Sequence, residues 1–461
     1  MKIPMIPPSV ERLLEQLAPD ELAKIFQHSN PLPTGKYLHW DDLRHRPPPE
    51  GLSSEKWWLT VSLARGSILQ LLPFTDKEGN PFRLATPEPL LAHLHHIDRD
   101  AAGRIKTPTS SSIHDNRERY LLHSLIEESI TSSQLEGAST TRKVAEAMLR
   151  DKRQPRDRSE TMIFNNYQAM EQLRHLKGQK ITPEHILELH RVITKDTLDD
   201  PADAGRLRDS DGVNVVDNRD RELLHQPPSF KELPERLERL CVFANADLDS
   251  SPFVHPVVRA ILLHFMSGYD HPFADGNGRT ARALFYWSMA RSGYWLMEFL
   301  SISQFLRSAP RQYVQAYLHT ETDRNDTTYF VLHQLDIIRR SITTLHEYLG
   351  RKFAEQKEAE SLLIKTGQLR AQLNHRQLAL LTHALKHPGE VYRVAKHQAV
   401  HNVVYQTARA DLLGLEELGL LVKLKQGNAF VFYAADNLAE RFQRLNQGES
   451  PRLSWRPVGL S

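Results

Sequence analysis

The stretch from Pro256 to Met289 constrains this 461-residue chain more than any other. Val257, Val258, Ile261, Leu262, Phe265 and Met266 recur at helical spacing and predict a helix with a buried stripe. Ala281, Leu284, Phe285 and Met289 predict another. Joining them is His271-Pro272-Phe273-Ala274-Asp275-Gly276-Asn277-Gly278-Arg279-Thr280-Ala281-Arg282, a polar loop with a single large apolar residue. A specialised loop set between two buried helices belongs in a helical body, and the fold class is expected to be mostly α.

Each loop position has a physical reading. Gly276 and Gly278 permit positive φ and close backbone approach. Successive amides in such a turn can form an anion-binding nest. The nest leads into a helix N-terminus, whose free N–H groups and dipole favour phosphate. Arg279 and Arg282, three apart, share one face of the first turn. Two cations there repel each other and oppose the dipole, an arrangement that makes sense around a highly charged anion. Asp275 beside the phosphates suits Mg2+, with phosphate oxygens and water completing the octahedron. His271 can take a proton from an attacking hydroxyl near neutral pH. Phe273 is expected to plug into the core and fix the loop. A Gly-Asn-Gly alone, or a His alone, reads as an ordinary turn with surface charge; the combination points to a phosphate site.

Composition narrows the rest. Lys+Arg 59 against Asp+Glu 57 leaves +2, too near zero for a surface devoted to nucleic acid or anionic lipid, although a local basic patch stays open. Forty per cent hydrophobic and 25% charged residues are an ordinary globular mix. At roughly 100–200 residues per domain, the length suggests about two to four domains. The one cysteine, Cys241, excludes an internal disulfide framework and a multi-Cys zinc site. It fits a reducing compartment and reads as a small buried hydrophobe. No apolar run approaches the roughly 20 residues of a spanning helix. Prolines interrupt the N-terminus where a signal peptide needs an apolar stretch. A soluble cytoplasmic protein with no membrane partner is expected.

Four regions are expected along the chain. Residues 1–110 are rich in Pro and Trp; Leu32-Pro33-Thr34-Gly35 and Arg46-Pro47-Pro48-Pro49 read as turns and extended chain, and Trp57, Trp58 and Leu59 open a helix. Residues 111–155 start with a helix capped at Asp115, with Glu118 three residues later. Leu121, Leu122, Leu125, Ile126 and Ile130 line its stripe, and Gly137 stops it. Residues 156–355 read as a helical core with starts near Ser159, Thr182-Pro183, Lys231 and His255-Pro256. Inside it, residues 204–228 hold Val213, Val215 and Val216 among Gly, Asp, Asn and Arg, which suggests a short β-hairpin flap. Residues 370–440 suggest helices at Leu378–Leu385, Val391–Ala399 and Val403–Leu418. A β-ribbon of Leu420–Leu424 and Ala429–Tyr433 completes a winged-helix pattern.

The string from His271 to Arg282 resembles the signature of Fic proteins, His-x-Phe-x-Asp/Glu-Gly-Asn-Gly-Arg-x-x-Arg. His271, Phe273, Asp275, Gly276, Asn277, Gly278, Arg279 and Arg282 all match. Similarity runs from roughly Asn116 to Tyr348 and includes Asp326-Thr327-Thr328. The resemblance implies a Fic-type helical core and a protein adenylyltransferase. Such an enzyme moves AMP from ATP onto a Ser, Thr or Tyr hydroxyl of a target protein, or of itself, and releases pyrophosphate. It implies His271 as general base, Asp275 as Mg2+ ligand, and Gly276, Asn277, Gly278, Arg279 and Arg282 as holders of the triphosphate. Thr280 and Ala281 belong to the same nucleotide-binding turn. The flap would pair with the target's main chain as an added strand. Tyr313, on a following helix, is a further candidate for the nucleotide pocket. One branch of the family carries a changed Gly-Asn-Gly-Arg and transfers phosphate; the intact element here favours AMP.

Glu136 lies in the last turn of the helix that Gly137 stops, where a negative charge opposes the dipole. Such a residue wants a cation, although by itself it also reads as a solvated surface glutamate. Ser132, Glu136 and Gly137 are in register with the Fic inhibitory motif, Ser/Thr-x-x-x-Glu-Gly/Asn. Resemblance to the class with an N-terminal inhibitory helix in the same chain implies that Glu136 pairs with Arg282. The γ-phosphate is thereby kept from its productive position. Two competing functions remain: a transcriptional regulator with a nucleotide-sensing core, and a hydrolase that removes AMP with Glu136 directing water. In the tail, Arg393, Lys396, His397, His401, Arg409, Lys423 and Lys425 place charge near the second helix, the third helix and the ribbon. A winged helix puts its third helix in a DNA groove. Glu416 and Glu417 lie on that helix, and winged folds also mediate protein contacts, so a protein partner stays open beside DNA. The oligomeric state, a homodimer included, is also open.

Overall fold

The computed structural model describes residues 2–18, 21–102, 124–150, 153–217, 219, 221–247, 249–364, 372–387, 389–426, 429–435 and 437–447. These fall into two compact units, one of residues up to 342 and one of residues from 343 onward. The cap expected at Asp115 lies outside the described residues.

The first unit opens with short helices at Val10–Glu15, Leu22–Gln27 and Trp40–Leu43. They precede α1 (Ser54–Gly66), whose first turn is capped by Ser53 accepting from the Lys56 amide. Trp57, Trp58, Leu59 and Val61 of α1 pack with Leu13, Ile25, Trp40 and Leu43 into a local core. So the Pro- and Trp-rich region is more than turns around one helix. It also holds an antiparallel hairpin of β1 (Leu69–Thr75) and β2 (Pro81–Ala85), then a helix at Glu88–Ile97. The hairpin has no clear sequence signal because Pro73 argues against a strand. The ladder tolerates it where the register shifts between Leu71 and Thr75. Arg83 of β2 is bonded to the loop beyond it: its amide donates to Asn325 O at 2.9 Å, and its carbonyl accepts from the Thr327 amide at 2.8 Å. Asp326 in that loop accepts from Tyr37 Oη at 2.6 Å and from the Thr328 amide at 3.0 Å.

The helical body follows. Residues 124–135 form α2, whose residues 124–133 are all buried. Next come α3 (Arg158–Leu176), capped by Asp157, and α4 (Pro183–Thr194), capped by Thr182 with proline in its first turn. β3 (Val215–Val216) and β4 (Leu223–His225) pair antiparallel, with Val215 opposite His225 and Val216 opposite Leu223. This is the small hairpin expected within 204–228. Then come α5 (Leu233–Asn245), α6 (Pro256–Asp270), α7 (Asn277–Arg291), α8 (Pro310–Thr322) and α9 (Thr328–Ile364). α6 and α7 are buried over most of their surfaces, Arg259, His264, Arg279 and Arg282 included. A helix buried all round sits at the centre of its unit. Cys241 of α5 is buried as a thiol, as expected. The fold is mostly helical with small antiparallel sheets.

The second unit contains the late turns of α9, then α10 (His375–Lys386), β5 (Val391–Tyr392), α11 (Val394–His401), α12 (Tyr405–Glu417), β6 (Leu421–Gln426), β7 (Ala429–Ala434) and α13 (Leu438–Asn446). Leu380, Leu381, Leu385, Leu412, Leu415, Phe432 and Phe442 share its core. Its sheet runs β5-β7-β6, all antiparallel. A single helix over Val391–Ala399 is therefore corrected: Val391 and Tyr392 pair with Tyr433 and Phe432, and the helix starts at Val394. A β-branched and an aromatic residue suit the open edge of the ribbon better than a first helical turn. Buried Asp411 of α12 accepts from Arg376, Asn374 and His397, and so ties three helix segments together. Among the described residues no helix is long and apolar enough to cross a membrane.

Candidate functional site

α6 ends at Asp270, and His271 follows in the left-handed region at φ 44° and ψ 57°. A bulky non-glycine residue holds that conformation only where its surroundings fix it. The ring's Nδ1 lies 3.2 Å from Gly268 O. A carbonyl can only accept, so Nδ1 carries the proton and Nε2 is left as the acceptor. Burial, above all, pushes the His271 imidazole down to about 4; nearby His225 and Arg208 act the same way, while Gly268 O and Glu136 oppose them. The ring is neutral at pH 7, and its Nε2 can take a proton from a hydroxyl.

The loop after His271 is held from inside. Asn277 Oδ1 accepts from the Phe273 amide at 2.9 Å, and Asn277 Nδ2 donates to Phe273 O at 2.8 Å. The Asn277 side chain, expected at the nucleotide, is therefore committed to closing the loop. Phe273 is buried as expected and stacks on His190 of α4, centroids 3.7 Å apart at 4°. His190 Nε2 donates to Asp275 O at 2.9 Å and its Nδ1 accepts from the Gly205 amide at 3.0 Å. Burial pushes His190 down to about 4, which suits a neutral ring with one donor and one acceptor. Phe273→Ala should cost about 3–5 kcal/mol of stability. Denaturant unfolding measures this, and an unchanged midpoint would remove Phe273 from its anchoring role.

Gly276 caps α7 with φ 82°. A Cβ there would fall 2.6 Å from Thr194 Cγ2, so only glycine fits. A Cβ on Gly278 would fall 2.1 Å from Glu136 Oε1. The Glu136 carboxylate thus lies directly on the first turn of α7, where the free amides of a helix start attract anions. Arg279 and Arg282 are each 1% exposed. Arg279 Nη1 donates to Ile193 O at 3.1 Å, while its Nε and Nη2 are buried with no partner among the described residues. Arg282 Nε donates to Ser132 Oγ at 2.8 Å; its Nη2 donates to Ser132 O at 3.1 Å and to Glu136 Oε1 at 2.8 Å. Burial raises the Glu136 carboxyl, but Arg282, then Arg279 and His271, outweigh it and hold the group below its ordinary value. Buried donors without acceptors are costly, and more so on a cation. The arrangement leaves hydrogen-bond donors for more acceptors than one carboxylate supplies.

The remaining expected residues fall around this centre. Asp275 is exposed, and one of its oxygens accepts from the Gly276 amide at 2.6 Å. One carboxylate beside phosphate oxygens and water fits a Mg2+ shell. Among the described residues no cluster of three or more His, Cys, Asp or Glu could enclose a metal with protein groups. Thr280 Oγ1 donates back to Gly276 O at 3.0 Å, and Ala281 is buried, so neither side chain is offered to a ligand. Tyr313 Oη lies 2.8 Å from His264 Nε2 on α6. Glu136 itself stands just beyond α2, in the turn that Gly137 closes at φ 97°.

Three residues of the neighbourhood carry no clear signal in the sequence. His190 supports the loop as described, and Arg208 donates from Nε to His271 O at 3.0 Å. Glu128, 2% exposed on α2, accepts from Tyr286 Oη at 2.9 Å, Ser301 Oγ at 2.8 Å and Ser303 Oγ at 2.5 Å. It pins α2 to its surroundings and so holds Glu136 over α7. Its one trace in the sequence is a carboxylate three residues after Leu125, inside the apolar stripe.

Residues 180–289 match the Fic/DOC family. The match contains the 271–282 loop and the β3–β4 hairpin but not Ser132–Gly137. Protein adenylyltransferase Fic of Nematostella vectensis is 36% identical over 119 residues, 26% of this chain and 25% of that protein. Protein adenylyltransferase Fic of Drosophila ananassae is 26% identical over 283 residues, 60% of this chain and 53% of that protein. The chain thus spans about half or less of the length of these curated relatives. A solved Fic family protein from Desulfovibrio desulfuricans G20 aligns with 76% of this chain and 97% of its own, at 17% identity and a TM-score of 0.49.

Proposed function

We propose, on the match of residues 180–289 to the Fic/DOC family, that the protein transfers AMP from ATP to a hydroxyl of a protein, restrained by Glu136. One observation carries this: the chain's own carboxylate rests on the α7 N-terminus, against a buried arginine pair that is only partly satisfied. In the working state the triphosphate takes that place. Amides of Asn277 and Gly278, the open donors of Arg279, and Arg282 donate to its oxygens, with Gly276 giving the backbone its close approach. Tyr313 flanks the nucleotide pocket. His271 Nε2 takes the proton as the target hydroxyl oxygen bonds to the α-phosphorus and the bond to pyrophosphate breaks. Gly268 O, bonded to Nδ1–H, then steadies the imidazolium. Asp275 would hold Mg2+, which neutralises charge on the phosphates. The β3–β4 hairpin offers main-chain groups to the target, a segment of another protein or of this one that carries a Ser, Thr or Tyr hydroxyl.

Labelled ATP with Mg2+ tests the reading. Label on protein supports it. Release of AMP from a pre-labelled protein, with no transfer, turns it to an AMP-removing hydrolase. Nucleotide binding with neither turns it to a sensor.

For the tail, we propose that residues 370–440 are a winged-helix module that contacts DNA. α12 has no acidic residue in its first turn and exposes Tyr405, Gln406 and Arg409. The ribbon exposes Lys423, Lys425 and Phe430. DNA affinity is expected to fall by orders of magnitude between roughly 50 and 200 mM salt, and to weaken on removing Arg409 and Lys423. A mobility shift insensitive to both changes opposes the proposal, and no shift on any DNA leaves a protein-contact module.

A further inference from the structure

Arg208, in the segment that enters the flap, is 5% exposed, and no step above uses it. Its own amide donates to Pro272 O at 2.9 Å. Its Nε donates to His271 O at 3.0 Å. Nη1 donates to Ser210 O at 2.8 Å and to Asp211 Oδ1 at 3.1 Å, and Nη2 donates to Pro228 O. Asp211 also accepts from the Phe230 amide at 2.7 Å and from Ser229 Oγ at 3.1 Å. One guanidinium–carboxylate pair therefore closes the stem of the flap, where the chain enters at 208–211 and leaves at 228–230. The same guanidinium holds the peptide of His271.

The choice of acceptors is informative. Three of them are backbone carbonyls, on His271, Ser210 and Pro228, so Arg208 fixes main-chain positions in two separate segments. The rigid fork of arginine can do this; the point charge of lysine cannot. His271 needs such a hold, because its left-handed backbone persists only when over-determined by its surroundings. A desolvated arginine is also costly unless its partners are complete, and here every nitrogen of the group is used.

We propose that Arg208 is a positioning residue that locks the His271 peptide and the flap stem into one register, so that a docked segment and the general base arrive in fixed relation. This rests on the transferase reading above. Arg208 is bonded to the His271 peptide and the flap stem, and to neither Arg279, Arg282 nor the amides of 276–278. It should therefore affect turnover and leave ATP binding alone.

The test uses the full chain carrying Glu136→Gly. Adding Arg208→Ala is expected to lower AMP transfer by about 10²-fold, the scale of a 1 Å misplacement, with the KM for ATP unchanged. Arg208→Lys keeps the cation and one donor for His271 O but loses the fork. It should fold and lie between the two rates. Near-parent transfer by both variants overturns the proposal. So does a loss of transfer matched by an equal loss of ATP binding, which would make Arg208 a support of the nucleotide site. If Arg208→Ala does not fold, Arg208→Lys at the parent rate overturns it. No transfer by the Glu136→Gly parent takes down the transferase reading and this inference with it. Transfer by the parent with unaffected Arg208 variants overturns this inference alone.

Discussion

Glu136→Gly is expected to raise AMP transfer by about 5–150-fold, the range of a typical regulatory coupling. Glu136 Oε1 takes Arg282 Nη2 at 2.8 Å and lies where a Cβ on Gly278 would be 2.1 Å away. While it stays there, a triphosphate cannot use both Arg282 and the first amides of α7. Removing only the carboxylate opens that space and frees Arg282 for the γ-phosphate. The α-phosphorus can then face the incoming hydroxyl in line, which is what positioning requires. Folding should survive, because glycine at a helix end costs about 1 kcal/mol or less and Glu128 still anchors α2 through three hydroxyl donors. Arg282→Ala added to Glu136→Gly should cancel the gain. Self-labelling no stronger than the unchanged chain, with ATP still bound, would defeat the inhibitory assignment. Loss of AMP-removing activity in the same variant would favour the hydrolase.

What could be read from the sequence was contiguous. The 271–282 loop shows its chemistry because twelve neighbouring residues hold the glycines, arginines, carboxylate and imidazole together. The helices on either side show themselves by period, and the starts read at Thr182 for α4 and His255 for α6 lie within a residue or two of where the structure caps those helices. Glu136 shows itself as a charge set against its own helix dipole, and the motif names its partner 146 positions away. Arg208 and His190 show little of this kind, because the bonds that tie them to the loop go to backbone carbonyls of a distant segment, and a carbonyl has no residue identity to read. Asn277 shows a division of labour within one residue, its side chain closing the loop while its backbone amide stays at the start of α7. Its place in a phosphate motif suggests a ligand contact, yet both ends of its side chain are bonded to Phe273. The β1–β2 hairpin and β5 stay hidden for a further reason: a proline in one and a length of two residues in the other leave no alternation to detect.

His271→Ala should abolish AMP transfer while ATP still binds, since the groups proposed for the triphosphate lie on α7. Loss of a general base costs about 10²–10⁴ in rate. The same residue sets the acid limit of the reaction. Burial brings the His271 imidazole down from the ordinary histidine value to about 4, so Nε2 keeps its lone pair throughout the neutral and mildly acidic range. Transfer should therefore be nearly flat from pH 7 to pH 5 and fall as pH drops through about 4. Stability moves in the same direction. Between about 6.5 and 4 the unfolded chain binds a proton at this residue that the folded chain does not, so stability decreases as pH falls across that window. His190, pushed to about 4, and His264, pushed to about 3, add to the same slope because burial keeps them neutral too. His271→Ala should flatten part of it, measurable as a smaller loss of thermal stability between pH 7 and pH 5. A rate that falls instead around pH 6.5 would mean the base is solvated. Labelling by His271→Ala close to that of the unchanged chain would remove the residue from the reaction.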